Sequence, residues 1–204
     1  METVTPPEQT TVQPFSKRLK HATREQHERV DHAIMTLRPF DDLEGYARFL
    51  RVQYGFQQRC LPVYRHPQLA DWISDLTLRC RHAAVVRDCL DLNVDVDAER
   101  QAQAKPLAAP TSEAAPYLLG WLYVNEGSNL GAAFLFKRAA ELGLSASYGA
   151  RHLAPSDDGR GLHWRNFTQQ LDAIPLPETG IVQAIAGAKE AFACVEALAR
   201  PLVR

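Results

Sequence analysis

Apolar residues recur at three- and four-residue spacings along nearly the whole chain, and no stretch alternates convincingly in the manner of a strand. Leu19, Thr23, His27, Val30, Ile34 and Leu37 make one such stripe. It predicts a first helix with Ser16 as its N-cap, running to about Leu37 before Pro39 ends it. A second helix opens at Asp41-Asp42-Leu43-Glu44, where acidic groups suit the positive end of the helix dipole. It turns Tyr46, Phe49, Leu50, Gln53 and Phe56 inward, with Pro62 a candidate kink at its far end. A third is expected from about Leu69 to Leu92, and residues 93–112 then form the longest connection. The longest helix follows, from about Ala114 to Leu142, and after it a second loop from Gly149 to Gly161. Pro175 and Pro177 divide the last two helices, expected over Leu162–Ile174 and Pro177–Leu202. With no repeat or linker, the pattern implies one all-α domain over 15–204, more elaborate than a four-helix bundle. The polar, proline-bearing residues 1–14 read as a disordered arm.

Composition narrows the class. A chain of 204 residues with 46% hydrophobic and 23% charged positions is an ordinary globular protein. Its net charge of -1 weighs against non-specific nucleic-acid binding, although a local basic patch for a small anion fits. No apolar run reaches the roughly 18 residues of a membrane-spanning helix, and residues 1–14 carry no apolar signal core. Cys60, Cys80, Cys89 and Cys194 lack metal-ligand spacing, so they read as buried thiols in a reducing cytoplasm.

The long helix contains a costly feature. Gly127 and Gly131 lie within it, and each glycine costs roughly 0.5–1 kcal/mol relative to alanine. Tyr123, Gly127 and Gly131 fall at i, i+4 and i+8 on one ridge, with Ser128 and Asn129 at its margin and a Gly-Ser pair suited to a bend. Such a bare ridge serves either close contact with another helix or a slot for a flat ligand. His27 is equally two-sided. A histidine on an apolar stripe is commonly a hydrogen-bonded core residue, but neutral imidazole is also a good ligand for iron or zinc. Asp31, at i+4, can accept its second N–H and orient the ring. Lys20 lies two turns before His27, roughly 10 Å along the axis, where it is either a solvated lysine or a partner for an anionic ligand group. A bare-backed helix set opposite a histidine-bearing one would sandwich a planar macrocycle, giving both oddities one cause. No Glu-x-x-His, Walker loop, His-Glu-x-x-His or Gly-x-Ser-x-Gly occurs. His21 and His32 flank the stripe and are expected to be exposed. His152 and His163 suit anchoring of the second loop, and Trp121, Phe134 and Phe136 suit core or pocket wall.

Three ordered segments carry a family resemblance. They are Leu19-Lys20-x-x-Thr23-x-x-x-His27, the run from Gly120 to Lys137 containing Tyr123-Val124-Asn125-Glu126-Gly127-Ser128-Asn129-Leu130-Gly131, and Gly149-Ala150-Arg151-His152-Leu153-Ala154-Pro155 with Gly159-Arg160-Gly161. From Ser16 onward the chain resembles the bacterial heme oxygenases used for iron acquisition. The resemblance implies heme held between a proximal helix and a kinked distal one, with His27 as the proximal iron ligand. Thr23 and Asp31 fall beside it. Gly127 and Gly131 match the distal glycines, Ser128 and Asn129 polar groups of the pocket, and Lys20 and Tyr123 the holders of the heme propionates. Gln53 and Arg81 correspond to a distal water network. Heme would be cofactor and substrate, opened with dioxygen, at the α-meso bridge, to biliverdin, carbon monoxide and ferrous iron. Electrons would come from a ferredoxin or flavin reductase, and a monomer is expected. The competing readings are a heme carrier or sensor without turnover, and a helical interaction module.

Overall fold

The computed structural model describes residues 13–102 and 110–203, so all but the last two residues of the expected arm lie outside it. Nine α-helices and four short 3₁₀ turns follow one another among those residues, with only isolated bridges around Ser145–Gly149 and no strand. The expected all-α domain is what forms.

The first expected helix is two: α1 (Phe15–Ala22) and α2 (Arg24–Thr36), meeting at Thr23 with φ -119° and ψ 11°. Ser16 is not the cap. Pro14 takes that position, while the Ser16 amide and hydroxyl donate to the Asp172 carboxylate at 2.7 and 2.9 Å, a pull from a distant helix that a local capping rule misses. In α3 (Leu43–Cys60) the acidic start is borne out, Asp42 accepting from the Gly45 amide at 2.7 Å. The third expected helix breaks into α4 (Pro67–Trp72), a 3₁₀ turn (Leu76–Arg79) and α5 (His82–Asp91). Its break has a tertiary cause: Ser74 donates to Gln170, and Arg79 turns inward to a buried carboxylate. The connection at 93–112 also holds a helix, α6 (Val96–Ala102), started by Asp95, whose carboxylate accepts from the amides of Asp97 and Ala98 at 3.0 Å.

The helix α7 (Ala115–Glu141) spans 27 residues and remains helical through Gly127-Ser128. The second loop contains a 3₁₀ turn (Arg151–Leu153), and then come α8 (Arg160–Ala173) and α9 (Glu178–Ala199). The core is built on α7 crossing α9, and α2 packs on α9 as well. A β-carbon at Gly120 would stand 2.0 Å from the Ala184 carbonyl oxygen, and one at Gly187 2.0 Å from the Tyr117 carbonyl oxygen. Close backbone approach therefore falls to Gly120 and Gly187, not to Gly127 and Gly131. Around this crossing Leu119, Trp121, Leu122, Phe167 and Leu171 are fully buried. The four cysteines are free thiols, three of them buried. No helix among the described residues is long and apolar enough to cross a membrane.

Candidate functional site

The α1–α2 segment carries the first wall of the site. Leu19, Thr23, Ile34 and Leu37 face the core as the stripe predicts, but His27 does not: its side chain is 63% exposed. The core-histidine reading is thereby excluded. The His27 ring meets Phe192 of α9 edge-on, with centroids 5.8 Å apart, and Nδ1 lies 3.1 Å from Asp31 Oδ2. If Nδ1 carries the proton donated to Asp31, Nε2 keeps its lone pair for a metal. Thr23 is a correction to the expected ligand contacts. It is buried, and its hydroxyl donates to the Leu19 carbonyl at 2.8 Å, so it shapes the bend between α1 and α2 and presents no polar group to a ligand. Lys20 is exposed, one turn before that bend, and His21 and His32 are exposed as expected.

The second wall is the outer half of α7. A β-carbon at Gly131 would meet nothing within 4 Å, and one at Gly127 only the Trp164 ring, at 3.7 Å. Leu130 and Phe134 are exposed on the same stretch, Phe134 by 60%, so Phe134 belongs to a wall and not to the core. Tyr123 is nearly buried, its ring 5.7 Å from that of Trp164, and burial pushes its phenol up to about 12. It is a proton donor at neutral pH. Ser128 donates to the Asn125 carbonyl at 2.7 Å, a side-chain bond of the kind that bends helices.

Behind this wall a cavity of about 30 Å³ lies among Gln53, Gln57, Arg81, Ser128, Asn129 and His152. Gln53 and Arg81, far apart in sequence, thus meet Ser128 and Asn129 at one place. Arg81 donates to the carbonyls of His152 and Ala154 at 2.8 and 2.7 Å, and Arg160 to that of Asn129 at 2.9 Å. His152 anchors the second loop, as the sequence suggests, with Nδ1 2.8 Å from Asp88 Oδ2. Its Nε2 is buried without a protein partner. Burial holds its imidazole below the ordinary value despite Asp88. Burial alone would raise the Asp88 carboxyl, but bonds from His152 and Arg151 outweigh it and hold the group below the usual range. With these polar groups beside the apolar Phe49, Ala132, Leu135 and Leu153, a cavity of this size has room for an ordered water.

Sequence reasoning overlooked Asp88, Gln57 and the buried Glu126. Each is an acidic or amide residue whose meaning depends on what the fold brings to it, and no spacing within its own helix marks it.

The geometry agrees with the comparisons. A family model described as heme oxygenase matches residues 13–200. The chain belongs to the heme oxygenase family. It is 40% identical over 186 residues, 91% of each chain, to heme oxygenase PigA of Pseudomonas aeruginosa. The solved heme oxygenase of Neisseria meningitidis, described in NO- and CO-bound forms, superposes with a TM-score of 0.84 at 40% identity, covering 94% of this chain and 93% of that one. Heme oxygenase-1 of the cyanobacterium Synechocystis, solved in complex with heme, shares the fold at a TM-score of 0.68 and 15% identity, over 93% of this chain and 92% of its own. As a heme oxygenase the chain is an oxidoreductase. Of the two uses of a bare ridge, close helix contact is carried by Gly120, whereas the Gly127–Gly131 face meets no backbone of another helix.

Proposed function

We propose that this heme oxygenase takes heme between α2 and the outer half of α7 and cleaves it to biliverdin, carbon monoxide and ferrous iron. The carrying observation is the pairing of an outward-facing imidazole, held at Nδ1 by Asp31, with a helix face that is bare at Gly131. His27 Nε2 would ligate the iron. When bound, heme supplies the site for dioxygen and the electron-rich ring that is oxidised. The diatomic ligands of the Neisseria relative are of dioxygen's size, which supports a small-ligand site here.

The chain's own groups divide the remaining work. Gly127 and Gly131 admit a flat ligand against helix backbone and crowd its face, which restricts where oxygen reaches. Lys20 and the protonated Tyr123 phenol are suited to the two propionates, by charge and by hydrogen bonding respectively. With both seated, opening at the α-meso bridge is the expected regiochemistry. Asn129, Ser128, Gln53 and Arg81 surround the distal cavity, where water can be ordered and protons delivered without a strong acid beside the oxygen. Reducing equivalents come from outside, from a ferredoxin or flavin reductase. The setting is a cytoplasmic monomer releasing iron from heme.

Titration of His27→Ala with hemin tests the ligand: the histidine-ligated absorbance spectrum and most turnover should be lost, and an unchanged spectrum would refute the assignment. Incubating the parent's heme complex with reductant and air tests the reaction. Decay of the Soret band with a bile pigment appearing is the expected result, whereas a stable Soret band would mark a carrier or sensor. Chromatography of the pigment against biliverdin isomers reads the regiochemistry.

A further inference from the structure

Glu126 immediately precedes the first glycine of the site, about 100° round the helix from it. Its side chain is fully enclosed, and three separate elements converge on its carboxylate. Tyr64, in the 3₁₀ turn Val63–Arg65, donates its hydroxyl to Oε1 at 2.8 Å. Arg79, at the end of the turn Leu76–Arg79, donates Nη1 to Oε2 at 3.0 Å. His163 of α8 brings Nε2 to 3.1 Å from the same oxygen. Arg79 is itself aimed by Asp75 at 2.7 Å and lies over the Phe167 ring, 5.4 Å from its centroid. The bonding continues toward the distal cavity: Asn125 donates to the Tyr64 hydroxyl at 2.9 Å, and Gln57, which lines the cavity, donates to Asn125 at 2.7 Å.

An enclosed ion pair is a poor device for stability, since well-packed apolar side chains in its place are often neutral or stabilising. What it adds is direction. Each bond fixes an angle, and together they define how α7 is rotated about its axis. That definition is needed here, because beyond Glu126 the ridge bearing Gly127, Leu130, Gly131 and Phe134 leaves the core. A rotation of roughly 10° would shift a Cα on that ridge by about 0.4 Å, and its side chains by more.

We propose that the Arg79–Glu126–His163 cluster, with Tyr64, is a positioning device that sets the rotation of α7, so that Glu126 determines which porphyrin edge is attacked without touching the substrate. The inference rests on the heme-cleaving reading above. Its test compares Arg79→Met/Glu126→Met, Glu126→Gln and Tyr64→Phe with the parent by hydrogen exchange and by biliverdin isomer analysis. In the double variant, amides of residues 127–138 should exchange at least about tenfold faster while those of 117–124 stay protected. The minor biliverdin isomers should rise about tenfold. Glu126→Gln keeps the side chain's shape but replaces one acceptor oxygen by a donor and removes the charge facing Arg79, so it should shift both readouts in the same direction as the double variant. Tyr64→Phe removes one bond only, and should shift both readouts in the same direction by less, which keeps the test open if the double variant does not fold. Parental exchange and parental isomer ratios in the apolar double variant, or in Tyr64→Phe where the double does not fold, would overturn the proposal. The exchange measurement needs no turnover, so a parent that makes no bile pigment would sink the heme-cleaving reading separately.

Discussion

The two halves of α7 are one continuous helix with opposite purposes. From Leu118 to Glu126 every residue is buried, and Gly120 allows the backbone to press on Ala184 and Ala188 of α9. From Gly127 onward exposed positions predominate on the site face, where a β-carbon at Gly131 would have open space before it. The same residue type thus meets another helix's backbone at one position and open space at the other. Glycine in a helix therefore has no fixed meaning. Its neighbour in space supplies the meaning, and a substitution distinguishes the two cases by whether it harms the fold or the chemistry.

Gly120→Ala should have the largest effect. Its methyl would collide with main-chain atoms that cannot rotate aside, so about 3 kcal/mol or more should be lost, lowering Tm by roughly 6–12 °C for a chain this size. Thermal unfolding checks this, and a Tm equal to the parent's would erase the distinction between the halves. Gly127→Leu comes next. The fold should persist, because only the Trp164 ring stands near and it can shift, but heme cleavage should fall on the order of 10²-fold as the ridge is obstructed. Unimpaired turnover would count against α7 as the distal wall.

Gly131→Ala should produce a smaller change of opposite sign in stability. With no clash to offset it, the better helix propensity of alanine should add roughly 0.5–1 kcal/mol. Turnover should nevertheless drop, and a variant that is both more stable and fully active would show that the bare face is not required. The smallest effect concerns pH, at the cavity behind the outer half. His152 and Asp88 both bind protons less readily in the folded chain than in the unfolded one. Their contribution is therefore complete above the ordinary histidine value of about 6.5 and is lost as pH falls through the depressed values. Tm should decline on acidification from about pH 8 to 5, and more steeply in Asp88→Asn than in the parent, because the lost carboxylate is what favours the protonated His152 ring. A Tm that rose over that range would reverse the inferred sign.

Much of this was legible beforehand because it depends on local rules. Helical periodicity, the Asp42 cap and the stop near Pro39 are read within a few residues of where they act. His27, Gly127 and Gly131 stand out on their stripe and ridge, and the heme oxygenase resemblance gave them one common role where their ordinary uses in isolation point elsewhere. What failed were statements that needed a distant partner. Ser16 is diverted from capping by Asp172, the expected third helix is broken by Gln170 and Glu126, and the hydroxyl of Thr23 is spent on its own helix.

The amino-acid order by itself determined an all-α chain, the rotational spacing of Tyr123, Gly127 and Gly131, and the i, i+4 pairing of His27 with Asp31, because each follows from helix geometry alone. Only the tertiary structure decided which glycines touch protein and that His27 leaves the core. It also decided that Glu126 gathers Tyr64, Arg79 and His163 around one carboxylate. These outcomes turn on which surfaces meet, and a helix does not carry the identity of its neighbours in its own periodicity.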